Sequence, residues 1–284
     1  MILDNFWCPI CKGELVLSGS SITCVSCDRG YGFAGGIPDL FVGDMERDFV
    51  GDPNQAWLES EIVEARDTVY RLCTRELEGM AFCMKEIGRR SQKGFRILEA
   101  GMGTGHFTRW LQEAAGKDVE IYAFDFSWPI IEKAKFNTGG LENVTLFRAN
   151  ARGPLPFPKG HFDIVFLRLV PLGERGTPNV QAGYKLLKPG GWYFEGGWGK
   201  EAFETQPTAW AIQNGFGRAE HHVWEYRRLQ TAEERNAWEI EGDYLASIGK
   251  KPVGQAQAQD VINEDGSVWK MTSENLLIAQ KPVN

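Results

Sequence analysis

The sequence predicts an α/β fold in which a mostly parallel, seven-stranded sheet carries helices on both faces and a small cysteine-bearing module precedes it. Three observations lead to this prediction. Strand-like and helix-like segments alternate from residue 93 onward, a loop with glycine at every second position follows the first strand, and two C-x2-C pairs lie within the first 42 residues. A chain of 284 residues has room for one medium α/β domain and a small module.

The cysteines of the N-terminal module, residues 1–42, follow the spacing C-x2-C-x12-C-x2-C. Each C-x2-C places two thiolates on one tight turn, and two such turns complete a tetrahedral site for Zn²⁺. An iron–sulfur site is an alternative, whereas a redox dithiol would need only one of the two pairs. The spacing therefore predicts a zinc-ribbon module with four metal ligands: Cys8, Cys11, Cys24 and Cys27.

The rest of this module shows one hairpin pattern, formed by residues 14–17 and 21–24. Glycines are dense after the second cysteine pair, and we expect them to break any regular element there. These glycines are Gly30, Gly32, Gly35 and Gly36.

Residues 43–92 connect the module to the larger domain. Residues 43–58 have the composition of an irregular linker. From 59 to 90, apolar residues recur at three- and four-residue spacing, which predicts a helix that Gly79 or Gly88 would interrupt or end. We expect this helix to cover the functional site of the domain that follows.

The domain at residues 93–284 shows the alternation that is typical of a parallel sheet. Seven segments have strand character: 96–100, 120–124, 144–147, 162–167, 192–195, 220–226 and 275–280. Five segments have helical character: 107–115, 129–136, 179–187, 202–213 and 232–247. In such sheets, ligands bind at the carboxyl ends of the strands.

The loop after the first strand of the domain reads Glu99-Ala-Gly-Met-Gly-Thr-Gly105. Glycine at every second position lets the backbone bend sharply and lets a ligand approach without a Cβ in the way. A dinucleotide fingerprint would instead read G-x-G-x-x-G. Asp125, at the end of the second strand, suits hydrogen bonding to ribose hydroxyls, whereas Glu99 would repel a pyrophosphate and suits the ammonium group of an amino-acid-bearing nucleoside. This combination favours S-adenosylmethionine over NAD.

Five segments resemble, in the right order, the motifs of the class I S-adenosylmethionine-dependent methyltransferases: 99–105, 122–129, 150–158, 162–168 and 186–192. The resemblance covers residues 95–281 and implies a Rossmann-like domain that transfers a methyl group from a sulfonium to a nucleophile by in-line displacement. Asn150, where many members carry Asp, would meet the adenine amine. The resemblance implies these cofactor-binding residues: Glu99, Gly101, Met102, Gly103, Thr104, Gly105, Asp125, Phe126, Asn150, Ala151 and Arg168.

The sequence identifies no catalytic residue, because methyl transfer from an activated cofactor needs orientation and a water-poor site more than a catalytic group. Three residues are candidates for contact with the acceptor. Arg168 and Glu195 end the fourth and fifth predicted strands and are expected to face the crevice. His222 lies on a predicted strand and has the chemistry of a base near neutral pH.

Three functions agree with these patterns. The formal net charge of −7 and the tryptophan-rich segment 192–238 favour a methyltransferase acting on a small molecule. A cysteine knuckle ahead of a methyltransferase domain is similar to the layout of the bacterial 23S rRNA guanine-N1 methyltransferases, in which the knuckle helps grip RNA. The third is an interaction protein that only holds the cofactor, which the complete glycine loop counts against. We predict the first, as a monomer or a homodimer.

The distribution of apolar residues bears on location. No segment approaches the roughly 18 consecutive apolar residues that a membrane-spanning helix requires. The first residues lack the basic start and apolar run of a secretory signal. We therefore expect no membrane span and a cytoplasmic protein.

Overall fold

The computed structural model describes residues 3–45, 53–173, 177–198, 206–250 and 262–283. Within these residues the strands form one mixed sheet of 11 strands, so the α/β prediction is confirmed and the predicted count of seven strands is wrong. The difference arises because the strands of the N-terminal module join the sheet of the larger domain instead of forming a sheet of their own.

The N-terminal module contributes four of these strands: β1 (Leu15–Ser18), β2 (Ser21–Cys24), β3 (Gly30–Ala34) and β4 (Ile37–Asp39). The predicted hairpin corresponds to β1 and β2. The expectation that the following glycines would break regular structure is wrong, because they build a second hairpin of β3 and β4. Gly35 and Gly36 form its two-residue turn with φ of 57° and 83°, a conformation that glycine adopts without steric cost.

Five parallel strands form the middle of the sheet, in the order β7, β6, β5, β8, β9. Their bounds are β5 (Arg96–Ala100), β6 (Glu120–Asp125), β7 (Val144–Arg148), β8 (Phe162–Arg168) and β9 (Leu187–Trp198). The order reverses between β5 and β8, and a crevice for ligands forms at such a point in open parallel sheets.

Two long antiparallel strands close one end of the sheet, β10 (Arg218–Gln230) and β11 (Val268–Gln280). Strand β11 lies between β9 and β10 and is antiparallel to both, so this end of the sheet is antiparallel. At the opposite end, β4 lies parallel to β7 through the pairing of Asp39 with Arg148.

Seven α-helices accompany the described strands: α1 (Ser60–Cys73), α2 (Glu78–Arg90), α3 (His106–Ala115), α4 (Trp128–Asn137), α5 (Asn179–Leu186), α6 (Pro207–Gln213) and α7 (Ala232–Ser247). The helical pattern over 59–90 is two helices, separated at Thr74–Glu76 by a 3-10 turn. Gly79 is not the point of interruption. It lies in the first turn of α2, where a Cβ would stand 2.8 Å from the Trp224 ring. The start of the predicted helix 202–213 lies outside the described residues.

The two faces of the sheet are covered separately. Ile97 and Leu98 are neighbours on β5 but belong to different apolar clusters, because successive strand residues point to opposite faces. Helices α1, α2 and α3 cover the face of Ile97. On the other face, Phe6 of the N-terminal module packs edge-on against Tyr122 and Phe147. The cysteine module and the larger domain therefore share a hydrophobic core.

Within the described residues, none of the helices combines the length and the apolar composition that crossing a bilayer requires.

Candidate active site

A cavity of about 290 Å³ lies at the carboxyl ends of the parallel strands. Its floor is formed by the loops that follow β5, β6, β7 and β8, and its walls come from the segments 57–70 and 241–245. Its lining residues are Trp57, Arg66, Tyr70, Gly101, Gly103, Phe124, Asp125, Phe126, Ile130, Ala149, Asn150, Ala151, Arg152, Arg168, Leu169, Val170, Pro171, Glu241 and Leu245. The cavity thus occupies the place where ligands bind in parallel sheets.

The glycine loop bends at the mouth of β5. Gly101, Gly103 and Gly105 all have positive φ, at 72°, 53° and 88°. A Cβ on Gly101 would lie 2.1 Å from Val170 Cγ2, so this position has no room for any side chain. The amides of Gly101 and Met102 both donate to the Phe124 carbonyl, which fixes the bend against β6.

Asp125 fastens the glycine loop to the end of β6. One carboxylate oxygen accepts a hydrogen bond from the Gly103 amide at 3.2 Å, and the other accepts from the Phe126 amide at 2.8 Å. Burial raises the pKa of Asp125 to about 6, against the lowering effect of these amides. The carboxylate also lines the cavity, where an acid can accept from a ligand's hydroxyls.

Glu99 lies two residues before the loop and is 2% exposed. Burial raises its pKa to about 8, and the charge of Asp125 adds to the shift. The Thr108 hydroxyl opposes the shift without forming a hydrogen bond of normal geometry. Among the described residues, Glu99 Oε2 has no hydrogen-bond partner. Near neutral pH the group is mostly protonated in the absence of a ligand, and a cationic ligand group beside it would favour its ionised form.

The loop after β7 supplies a fixed amide. Asn150 Oδ1 accepts from the Arg152 amide at 2.9 Å, and Asn150 Nδ2 donates to the Val42 carbonyl at 3.3 Å. Phe126 and Ala151 line the same part of the cavity. This part combines an aromatic ring with a side-chain amide whose orientation is fixed by hydrogen bonds.

Helix α1 lies against the glycine loop. The Tyr70 ring lies 3.4 Å from the position that a Cβ on Gly103 would take. Asp67 accepts a hydrogen bond from Asn137 Nδ2 at 2.7 Å and contacts His106 Nε2 at 3.0 Å. These contacts tie the helix to both sides of the loop.

An ion pair joins α1 to α7 across the cavity. The Arg66 guanidinium contacts both carboxylate oxygens of Glu241 at 2.5 Å. It also stacks on the rings of Trp238 and Trp57, at 4.3 and 5.1 Å from their centroids. The sequence does not predict this ion pair, because periodicity indicates which face of a helix is apolar but not which distant helix that face meets.

Arg168 and Leu169, at the carboxyl end of β8, form one wall of the cavity. The Arg168 guanidinium is buried and lies 4.7 Å from the Phe107 ring centroid, and burial lowers its pKa. Leu169 has a φ of 56°, which non-glycine residues rarely adopt. Its half-exposed side chain lines the cavity. Backbone strain of this kind concentrates at functional sites.

Glu99 and the remaining sequence candidates lie outside the cavity lining. Met102 and Thr104 are buried within the glycine loop, and Gly105 packs against α4. Glu195 accepts 2.6 Å hydrogen bonds from Asn179 and Tyr193 and so holds the start of α5. His222 stacks on Trp224 of the outer strand β10.

The four cysteines of the N-terminal module come together as the spacing predicts. Their sulfur atoms all lie within 4.8 Å of one another, with 3.8 Å between Cys8 and Cys27 and 3.4 Å between Cys11 and Cys24. Four thiolates at about 2.3 Å from a tetrahedral Zn²⁺ stand roughly 3.8 Å apart. The cluster therefore has the dimensions of a zinc site.

The two cysteine turns share one backbone design. Lys12 and Asp28, each directly after the second cysteine of its pair, have φ of 60° and 55°. Their amides donate to the carbonyls of Cys8 and Cys24, respectively. Burial raises the pKa of Cys8, but hydrogen bonds from the backbone of Cys11 and from other neighbours outweigh it and lower the pKa to about 6.

Residues 97–191, about a third of the chain, match the family model described as "Methyltransferase domain". The demethylmenaquinone methyltransferase of Staphylococcus aureus (strain MRSA252) is 37% identical over 112 residues, which cover 38% of this chain and 44% of that protein. The chain thus matches less than half the length of this relative.

Solved structures share the fold. A phosphoethanolamine N-methyltransferase 2 from Haemonchus contortus, in complex with phosphomonomethylethanolamine and S-adenosylhomocysteine, superposes with a TM-score of 0.53 at 17% identity, over 86% of this chain and 62% of that one. A second structure of this protein, in complex with S-adenosyl-L-methionine, has the same scores. At this identity the likeness concerns the fold alone.

The buried Glu99 should make stability depend on pH. Its folded-state pKa of about 8 exceeds the ordinary value of 4.5, so the folded state binds more protons than the unfolded state between these values. The free energy of unfolding therefore falls as the pH rises from about 5 to about 8. Glu99→Gln cannot ionise and should reduce this fall by roughly 3–4 kcal/mol, measured by urea denaturation at both pH values without ligand.

The raised pKa of Asp125 also lowers the free energy of unfolding as the pH rises, but it does so in the wild type and in Glu99→Gln alike. Its contribution therefore cancels when the two proteins are compared. Glu132→Gln, which removes an exposed carboxylate from α4, is the control and should keep the wild-type pH dependence. If Glu99→Gln lost as much stability as the wild type over this range, Glu99 would not be protonated in the folded state.

Proposed function

We propose that the protein is an S-adenosylmethionine-dependent methyltransferase that transfers a methyl group by in-line displacement to a small-molecule acceptor. The observation that carries the proposal is the glycine loop between the buried carboxylates of Glu99 and Asp125, at the carboxyl edge of a parallel sheet. The matched methyltransferase region contains the loop and both acids, and the Staphylococcus aureus relative supports the same activity.

The residues around the loop suit this cofactor. Gly101 and Gly103 line the cavity with backbone alone, and Asp125 can accept from ribose hydroxyls. Asn150 and Phe126 suit the edge and the face of a purine. Glu99 Oε2, which has no partner among the described residues, suits the ammonium group of a methionine moiety.

The bound cofactor would supply a sulfonium methyl group that is already activated for transfer. Transfer would form the acceptor–carbon bond as the carbon–sulfur bond breaks; the sulfur would keep the electron pair of that bond, and an acceptor O–H or N–H would release its proton to solvent. The protein's part is to hold the two reactants in line and to exclude water. Tyr70 and Arg66 of α1 and Glu241 of α7 help to exclude water, because they cover the cavity from two helices.

The shape and lining of the cavity favour a small acceptor. Beyond the glycine loop its walls are aromatic and aliphatic, from Trp57, Tyr70, Leu169 and Leu245. Pockets of this size with a few polar groups are typical of small-molecule sites. Arg168 lines the cavity beside them and is the sequence candidate that we keep for acceptor contact.

We also propose that the four-cysteine cluster binds a structural Zn²⁺. The sulfur distances and the paired turns at Cys8–Cys11 and Cys24–Cys27 support this. All six cysteines lack disulfides, which accords with a reducing cytoplasmic location. The cluster is also the observation that favours the alternative substrate, a guanine base in ribosomal or transfer RNA.

Removing the carboxylate of Asp125 should weaken cofactor binding. Asp125→Asn keeps the side-chain size but replaces one acceptor oxygen by a donor, so the affinity for S-adenosylhomocysteine should fall by about 1–3 kcal/mol, measured by isothermal titration calorimetry. Asp118→Asn, at an exposed position before β6, should bind as the wild type does. Equal affinities of all three proteins would contradict the proposed ribose site.

The acceptor class can be tested with methyl-labelled S-adenosylmethionine. The protein is incubated with a small-molecule extract and, separately, with total RNA from the same cells. We expect label in the small-molecule fraction, and loss of that label in Arg66→Ala, which removes one side of the cavity roof. Label confined to RNA would support the guanine-base alternative and refute the small-molecule proposal.

Substituting one cysteine should release the metal. The wild type should carry about one zinc per chain by elemental analysis, and Cys24→Ser should carry much less, because serine is a poor ligand for Zn²⁺. Cys73→Ala, which alters a cysteine outside the cluster, should retain the metal. Full zinc occupancy in Cys24→Ser would refute the four-thiolate assignment.

A further inference from the structure

The segment that leaves the cysteine module runs along the edge of the candidate cofactor site. Strand β4 lies beside β7, with Asp39 paired to Arg148, and the Leu40 amide donates to the Arg148 carbonyl at 2.9 Å. Asn150, which lines the cavity, follows Arg148 by two residues in the loop after β7. The module therefore adjoins the loop that would hold the purine.

Arg148 connects the module to both sides of this loop. Its guanidinium contacts Asp39 at 3.0 Å and donates to the Phe126 carbonyl at 2.7 Å. It lies between aromatic rings, 4.7 Å from the Phe41 centroid and 5.5 Å from the Trp128 centroid. One side chain thus links β4, β7 and the residue that follows Asp125.

Val42 fixes the orientation of the Asn150 side chain. Its carbonyl accepts from Asn150 Nδ2 at 3.3 Å, which leaves Asn150 Oδ1 to accept from the Arg152 amide. A Cβ on Gly153 would lie 2.7 Å from the same carbonyl, so the two backbones are in close contact. The orientation of the Asn150 amide therefore depends on where the chain leaves the module.

Contacts between the module and the segment 147–157 hold the two parts together at further points. Lys12, directly after Cys11, donates to the Leu155 carbonyl at 2.6 Å, and the Trp7 amide donates to the Pro156 carbonyl at 2.9 Å. Phe6 packs on Phe147 and Phe157. The cysteine turns and the loop at 149–157 are consequently held against each other at several points.

We propose that the cysteine module supports the cofactor site from outside the cavity lining, and that Asp39, Phe41 and Arg148 are positioning residues that hold Phe126 and Asn150 against the purine. This inference rests on the proposed function, since it concerns the same cavity. A metal that orders the module then also favours the binding-competent arrangement of the loop, so metal and cofactor strengthen each other's binding. The module acts on the cofactor through protein contacts and needs no contact with the acceptor.

Calorimetric titration with adenosine and with S-adenosylhomocysteine tests the proposal. Arg148→Gln should raise the dissociation constants of both ligands by the same factor, about 5–20-fold, because both carry the purine and ribose. Asp39→Asn removes only the ion pair and should raise both by a smaller common factor. Arg96→Gln is the control. It removes the ion pair between Arg96 and Glu120, which lie at the amino ends of β5 and β6, away from the cavity, and it should leave both dissociation constants unchanged.

The binding stoichiometry separates positioning from simple destabilisation. A variant that only unfolds part of the sample would bind fewer ligands per chain at the wild-type dissociation constant. Positioning predicts full stoichiometry at a raised constant. In the double variant Asp39→Asn/Arg148→Gln, the two effects should not add, because both act through one contact.

Removal of the metal gives an independent measurement. Wild-type protein treated with a chelator should bind S-adenosylhomocysteine more weakly, and added Zn²⁺ should restore the affinity. Constants for Arg148→Gln and Asp39→Asn within about twofold of the wild type, or a loss for S-adenosylhomocysteine without one for adenosine, would overturn the inference. If the wild type bound neither ligand, the proposed function itself would fail.

Discussion

The site depends on a backbone bend that only glycine permits. Gly101, Gly103 and Gly105 take positive φ as the chain passes from β5 into α3, and the side chain of Val170 fills the space where a Cβ on Gly101 would stand. The bend brings the Gly103 amide against the carboxylate of Asp125 and places the loop at the floor of the cavity. The other parts of the site are arranged around this turn.

Closure of the cavity depends on segments far apart in the chain. Helices α1 and α7, which flank the matched methyltransferase region, meet through Arg66 and Glu241. Burying an ion pair is costly unless the geometry is good; here Arg66 donates a 2.5 Å hydrogen bond to Glu241 and lies over the rings of Trp57 and Trp238. Part of the cavity lining, including Trp57, Tyr70 and Leu245, therefore lies outside the matched region.

The cysteine module is integrated with the larger domain at two levels. Strand β4 extends the sheet beside β7, and Phe6 enters the aromatic cluster around Tyr122 and Phe147. A module of about 40 residues has little core of its own, so a shared core and a bound metal are the two ways of stabilising it. This arrangement makes its cysteine site and the candidate cofactor site neighbours in one structure.

The sequence by itself determined the local elements: the alternation of strands and helices, the glycine loop with Glu99 and Asp125, and the two cysteine pairs. These are features of short segments, in which side-chain periodicity, glycine's conformational freedom and ligand spacing act over a few residues. Only the tertiary structure decided that Gly35 and Gly36 turn a hairpin into the main sheet, that Glu195 holds Asn179, and that Arg66 meets Glu241. The physical reason is that these contacts join residues far apart in the chain. The sequence around one residue does not indicate which distant residue it will meet, and only the packing of the whole chain determines the pair.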